Sequence, residues 1–210
     1  MQEIAKRGAK LNRRLDIIRA AEKLMQTRGL SGVTTRLIAQ EVGCSEGALY
    51  VHFKGRLELL LAMLEESLPD MLGPLRVLQE SVGQGSVHKN LERALTGIYR
   101  FHQKVILRTA GLFAEPELLA AYRNSLRKQG KGPHLSLQIV EAYIRSEQRL
   151  KRVATSVDAK WAASLLMASS FFRAFSESFF GKPVQPAWGR FVKQLVLTVA
   201  PKADTGAKPE

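Results

Sequence analysis

A chain of 210 residues that is 45% hydrophobic, with 16 Gly and 8 Pro, has ordinary globular composition, fits one or two domains and is rich enough to bury a core. Its 32 Lys and Arg against 19 Asp and Glu leave a formal charge of +13, which says little about fold but favours polyanionic partners, nucleic acid or an anionic membrane. The single cysteine, Cys44, excludes an intrachain disulfide and a Cys-x-x-Cys metal site and fits a reducing, cytoplasmic compartment.

The first fourteen residues, MQEIAKRGAKLNRR, have no apolar core and do not read as a signal peptide. They carry Lys6, Arg7, Lys10, Arg13 and Arg14 against Glu3 alone, so residues 1–10 are expected as a disordered basic arm suited to a phosphate backbone or simply to solubility. Leu15, Ile18, Ala21, Leu24 and Met25 set an apolar stripe at helical spacing on a first helix that closes at Gly29. Thr34 is placed to cap a second helix, 35–42, and Ser45 to cap a third, from Glu46 to about His52, with Gly43-Cys44 as the turn between. Lys54-Gly55 ends that helix. A longer one starts near Arg56 and runs through LELLLAMLEESL, with Pro69 kinking or ending it.

Further helices are expected over 90–109, from Glu115-Pro116 onward, over 135–150, from Ser156 or Asp158 to Phe180, and from Pro186 to about Val199. No β alternation and no internal repeat is visible, and the tail PKADTGAKPE, 201–210, is expected to be disordered. The most apolar run, Trp161 to Phe180, is broken by Arg173 and Glu177, so no membrane span and no membrane partner are expected. The expected class is therefore all-α.

The stretch IAQEVGCSEGALYVHF, 38–53, carries the functional signal. Ala39 leaves room for two short helices to cross closely, and Gly43 supplies a left-handed turn cheaply. Ile38 and Val42 face inward on one helix, Leu49 and Phe53 on the next. The small and polar residues Glu46, Gly47, Ala48, Tyr50 and His52 are thereby turned outward, the logic of a helix-turn-helix whose second helix enters the major groove. Thr34, Tyr50, His52, Lys54 and Arg56 are placed for phosphates, and Glu46 to Leu49 for bases. Ala48 suits a thymine methyl. Glu46 suits either a cytosine amino group or the helix dipole alone.

Residues 14–64 resemble the DNA-binding domain of the tetracycline-repressor (TetR) family. The matching features, in order, are Arg28-Gly29, Thr34-Thr35-Arg36, Ile38-Ala39 with Gly43 and Ser45, Leu49-Tyr50-x-His52-Phe53, then Lys54 and LELLLAML. The resemblance implies an N-terminal three-helix DNA-binding domain, 11–57, with its helix-turn-helix at 34–53. A larger helical ligand-binding and dimerisation domain, 58–200, would follow. It implies phosphate contacts from Thr34, Tyr50 and His52, and a base-reading face at Thr35, Arg36, Gly47 and Ala48, with Ser45, Glu46, Lys54 and Arg56 alongside. Family members often have lysine where this chain has Arg56, which keeps the charge but changes the hydrogen-bonding geometry.

The family also implies a homodimer through the last two helices, double-stranded operator DNA as partner, and a small-molecule effector that shifts the DNA-reading helices. Trp161, Leu165, Ser169, Phe172 and Phe179, with Phe191, Leu195 and Val199, are the expected interface, a greasy face that otherwise reads as the buried centre of a monomer. Phe101, His102, Val105, Phe113, Tyr143, Met167 and Phe171 are the expected pocket, with core packing as the alternative for each. No cofactor is expected.

An enzyme is not expected, since P-loop, Gly-x-Ser-x-Gly and His-Glu-x-x-His patterns are missing and His52, His88, His102 and His134 have no metal-type spacing. A non-specific architectural DNA binder is the competing reading, because a charge of +13 suits it too.

Overall fold

The structure, a computed structural model, describes residues 2–30, 32–66 and 68–201, with only the backbone described at 2–11, 68–71 and 107–109. Its elements are α1 (Gln2–Arg28), α2 (Thr35–Val42), α3 (Glu46–Tyr50), α4 (Arg56–Glu66), α5 (Leu68–Glu80), α6 (Val87–Thr109), a 3-10 turn (Ala110–Ala114), α7 (Pro116–Lys128), α8 (Pro133–Arg149), α9 (Ala159–Phe180) and α10 (Trp188–Val199). The fold is all-α, and no strand occurs among the described residues. None of the described helices is long and apolar enough to cross a membrane.

Two compact units divide the chain: Met1–Leu68 with Leu107–Lys128, and Pro69–Ile106 with Gln129–Glu210. This division runs differently from the boundary expected at 57/58, because Leu112 and Leu118 are buried in the first unit's core. That core is built from Ile17, Ile18 and Ala21 of α1, Ile38 and Ala39 of α2, Leu49 of α3, Phe53, and Leu59, Leu60 and Met63 of α4. α1 and α4 contribute residues three or four apart, so each presents one apolar stripe inward, while the short α2 and α3 add only Ile38, Ala39 and Leu49. Gly111 is held close to Leu30, where a Cβ would come within 2.7 Å of the Leu30 Cβ.

The second core joins Leu75 and Leu78 of α5, Leu91, Leu95 and Ile98 of α6, Val140 and Ile144 of α8, Ala163 and Leu166 of α9 and Val192 and Val196 of α10. A Cβ on Gly97 would lie 2.3 Å from the Pro74 Cγ, so α5 and α6 touch where only glycine fits. Buried Arg173 donates to the Glu177 carboxylate at 2.7 Å and to the carbonyls of Val184 and Pro186, which fixes the turn between α9 and α10.

Three expectations are corrected. α1 begins at Gln2, where a disordered arm was expected; the stretch is rich in Ala, Lys and Arg, all strong helix formers. α5 starts at Leu68 and carries Pro69 in its first turn, where a missing N–H costs no hydrogen bond, so this proline opens a helix. α3 is shorter than expected, ending at Tyr50, with Val51 as its C-cap. The tail 202–210 lies outside the described residues.

Candidate nucleic-acid interface

The turn between α2 and α3 is held by local chemistry. Thr34 has extended backbone and its hydroxyl oxygen accepts the N–H of Leu37 at 3.3 Å, satisfying one of the donors a helix start leaves open. Gly43 ends α2 in the left-handed region at φ 68°, and its N–H returns to the Gln40 carbonyl. Two residues later Ser45 caps α3, its hydroxyl accepting from Ala48 N–H at 3.1 Å. Helix, turn and helix thus occupy sixteen residues, and Leu49 and Phe53 pin the second helix to the core.

With Leu49 inward, the opposite side of α3 is free. Gly47, Ala48, Tyr50 and Val51 are exposed. A Cβ on Gly47 would meet only the Ser45 hydroxyl, at 3.9 Å, so nothing inside the protein requires glycine there. Thr34, Arg36, Ser45 and Lys54 are also exposed, and His52 is half-buried. The Lys54 backbone N–H donates to Glu58 at 2.9 Å, tying the end of this segment to the first turn of α4.

Two expected contacts are turned to other tasks. The Thr35 hydroxyl donates to the Glu46 carboxylate, joining the start of α2 to the start of α3; both side chains are half-buried. Arg56 points into its own unit. Its Nε donates to the Val33 carbonyl at 2.9 Å, Nη2 to the Leu30 carbonyl at 2.9 Å, and both Nη atoms to Glu115 at 2.7 and 2.8 Å. The two carbonyls follow α1, where the chain has no helical partner for them, and Glu115 supplies a full charge. A solvated phosphate contact competes poorly with that arrangement.

Val51 was passed over in the sequence, although the inward pair Leu49 and Phe53 already implies that the residue midway between them faces out. Arg14, expected in the basic N-terminal stretch, has its guanidinium 4.5 Å from the Phe53 ring centroid.

The residues expected to form a pocket do not gather as one set. Phe101 is buried, and the half-buried His102 ring lies 5.7 Å from it and 5.4 Å from Phe171. Val105 and Met167 pack against the same core. Tyr143 is a core residue whose hydroxyl accepts from Asn90 at 3.1 Å. Phe113 belongs to the first unit and is exposed. His102 is desolvated, which pushes its pKa down to about 4, and its buried Nδ1 has no hydrogen-bond partner.

On α9, Trp161, Leu165, Phe172 and Phe179 are exposed and fall on one stripe, while Ser169 is half-buried beside them. Phe191 instead stands 5.4 Å under the Arg173 guanidinium, and Leu195 and Val199 pack partly into the core. Among the described residues no three of His, Cys, Asp and Glu gather as a metal site.

A sequence model of bacterial regulatory proteins of the tetR family matches residues 17–63, which span α1 to α4 and enclose the whole turn described above. Residues 17–63 thus carry a DNA-binding domain of the TetR family. The chain is a DNA-binding regulator and not an enzyme. Nucleoid occlusion factor SlmA of Shewanella baltica is similar at 27% identity over 183 residues, covering 72% of this chain and 92% of the relative. SlmA of Shewanella sp. strain MR-4 is 27% identical over 173 residues, covering 68% and 88%. The TetR fold extends over nearly the whole chain. SmeT, the repressor of the Stenotrophomonas maltophilia multidrug efflux pump SmeDEF, superposes with a TM-score of 0.66 at 19% identity, covering 94% of this chain and 96% of that one. A TetR/AcrR-family regulator from Thermobifida fusca superposes with a TM-score of 0.61 at 18% identity, covering 90% and 96%.

Proposed function

We propose that this TetR-family regulator is a cytoplasmic, homodimeric repressor that reads a specific operator through α3 and is released by a small molecule bound in its second unit. The observation that carries the operator reading is Gly47 in α3. Glycine in a short helix is unfavourable, and no internal contact asks for it, so its benefit lies in letting another surface approach the backbone. Ala48 beside it and the capped, exposed helix start support the same reading. Thr34, Tyr50, His52 and Lys54 hold phosphates; Arg36, Gly47, Ala48 and Val51 face bases. Arg56 acts from behind, by holding the start of α4. The apolar stripe on α9 supports dimerisation, because four large apolar side chains in line on one helix ask for a covering surface.

Effector release follows by population shift, with a ligand preferring the conformer in which two α3 helices misfit their half-sites. The aromatic and uncharged His102 surroundings suit an apolar ligand that makes one hydrogen bond with the imidazole Nδ1. The experiment is selection of bound sequences from random duplexes, repeated with a panel of apolar and anionic small molecules as release agents. A recovered consensus released by a panel member is expected. Sequences no better than random, at equal salt, would remove the operator.

The likeness to nucleoid occlusion factors favours a second reading, a regulator bound at many chromosomal sites with a structural rather than a gene-specific task. Mapping of bound sites in cells separates the two: a few promoter-proximal sites support the first, a dispersed set the second.

A further inference from the structure

The excess positive charge is not concentrated in the unit that carries the helix-turn-helix. That unit holds 15 Lys and Arg against 10 Asp and Glu, and the second unit 17 against 9. Within the second unit, the part of α6 up to Ile106 has four Lys and Arg and one acid, Glu92. Lys89, Arg93 and Arg100 are exposed and lie within about 40° of arc around the helix axis, at 100° per residue. Exposed Lys104 extends the line, giving a straight ridge about 22 Å long at 1.5 Å per residue. Leu91, Ala94, Leu95 and Ile98 face the opposite way, into the core.

Like charges one helical turn apart repel, and a purely solvated face gains from mixing both signs. Three exposed like charges in a row, Lys89, Arg93 and Arg100, add little to folding. Their role is in binding.

We propose that the α6 ridge is a second, sequence-independent contact for the sugar-phosphate backbone of duplex DNA. Three kinds of polyanion compete for such a ridge, and its composition selects among them. A lipid surface would use exposed apolar side chains beside the cations, but on α6 the ridge is flanked by Glu92, Thr96 and Gln103, while Gly97 is covered by Pro74. An acidic peptide would gain its affinity from anchors in a groove, whereas this is the convex back of a helix. A duplex backbone asks only for cations in a row, and its binding is driven by release of condensed counterions. The ridge acts without α3, so it adds a contact to the operator reading rather than replacing it.

The test uses the full chain on long random-sequence duplex, with affinity measured across a salt series. Replacing Lys89→Ala, Arg93→Ala and Arg100→Ala together is expected to flatten the log–log salt slope by about three, near one per lost phosphate contact. A charge-matched triple off the ridge, Arg76→Ala, Arg149→Ala and Lys151→Ala, is expected to change it by less than about one. The swap Lys89→Arg, Arg93→Lys and Arg100→Lys restores the slope, and thermal melts establish that all three variants are folded. Repeating the series in an Ala48→Glu background, which blocks the α3 face, is expected to leave the ridge's share intact, so failure of the ridge and failure of α3 are seen separately. Equal slopes for the two alanine triples, or a loss confined to polyglutamate or to phosphatidylglycerol vesicles, overturns the proposal.

Discussion

The guanidinium of Arg56 forks onto the carboxylate of Glu115, 59 residues away in sequence, with hydrogen bonds of 2.7 and 2.8 Å. The same arginine holds the carbonyls of Leu30 and Val33, so one side chain at the start of α4 gathers the end of α1, the approach to α2 and the entry to α7. Lysine has one ammonium where arginine has a planar fork and cannot reproduce this. Arg56→Lys is expected to destabilise the first unit by about 1–2 kcal/mol, the value of a hydrogen-bonded charged pair that remains partly exposed. The hydrogen bond from Arg56 holds the Glu115 carboxyl below its ordinary range. A carboxyl lowered in the folded state stabilises above its unfolded pKa, and that stability is lost as pH falls through the folded pKa. Urea melts from pH 6 to 3 check it: Glu115→Gln is expected to lower stability at pH 6 and to narrow the difference below the carboxylate range. A constant difference across the series contradicts the pairing.

Gly47→Ala is expected to move two properties in opposite directions. Alanine at this open helical site stabilises the fold by about 0.5–1 kcal/mol. It also pushes a methyl group toward the duplex, so operator affinity falls. Melting and binding curves on one preparation decide the matter, and a variant gaining in both shows that glycine serves no contact.

Tyr50, half exposed at the end of α3, is expected to contact phosphate through its hydroxyl. Tyr50→Phe then weakens binding by about 1–2 kcal/mol, equally on all sequences. A change of preference between bases in a selection experiment would instead make it a reader.

Phe172 is 68% exposed in the middle of the α9 stripe. Placing a charge there, Phe172→Glu, leaves the protomer folded and is expected to yield monomers with weak operator binding. Sedimentation of the variant at dimer mass counts against the interface.

Burial pushes His102 down to about 4, against an ordinary value near 6.5. Between those values the unfolded chain holds a proton that the folded chain does not, so stability falls as pH drops through that window, and the loss is complete below the folded pKa. The full gap corresponds to about 3 kcal/mol at roughly 1.4 kcal/mol per pH unit. His102→Leu is expected to flatten the pH 6.5 to 4 limb, above the window assigned to Glu115. An unchanged limb places the titration elsewhere.

Local chemistry was legible in the sequence. Thr34, Ser45 and Asp158 cap helices, and Gly43 and Gly181 close them in the left-handed region, because caps and turns depend on neighbours a few residues away. The outward face of α3 followed from the inward spacing of Leu49 and Phe53. Partners chosen by tertiary structure were not legible. Nothing in the order of residues pairs Thr35 with Glu46 or Arg56 with Glu115. Residue type likewise does not separate a core tyrosine from a pocket tyrosine, so Tyr143 and Phe113 entered the same expected site although one is buried against Asn90 and the other is exposed in a different unit.

The pyrrolidine ring of Pro74 fills the space that any side chain at position 97 would need. Shifting α6 by one residue in either direction would present Thr96 or Ile98 to that ring and be refused. The two helices therefore have a single register where they cross.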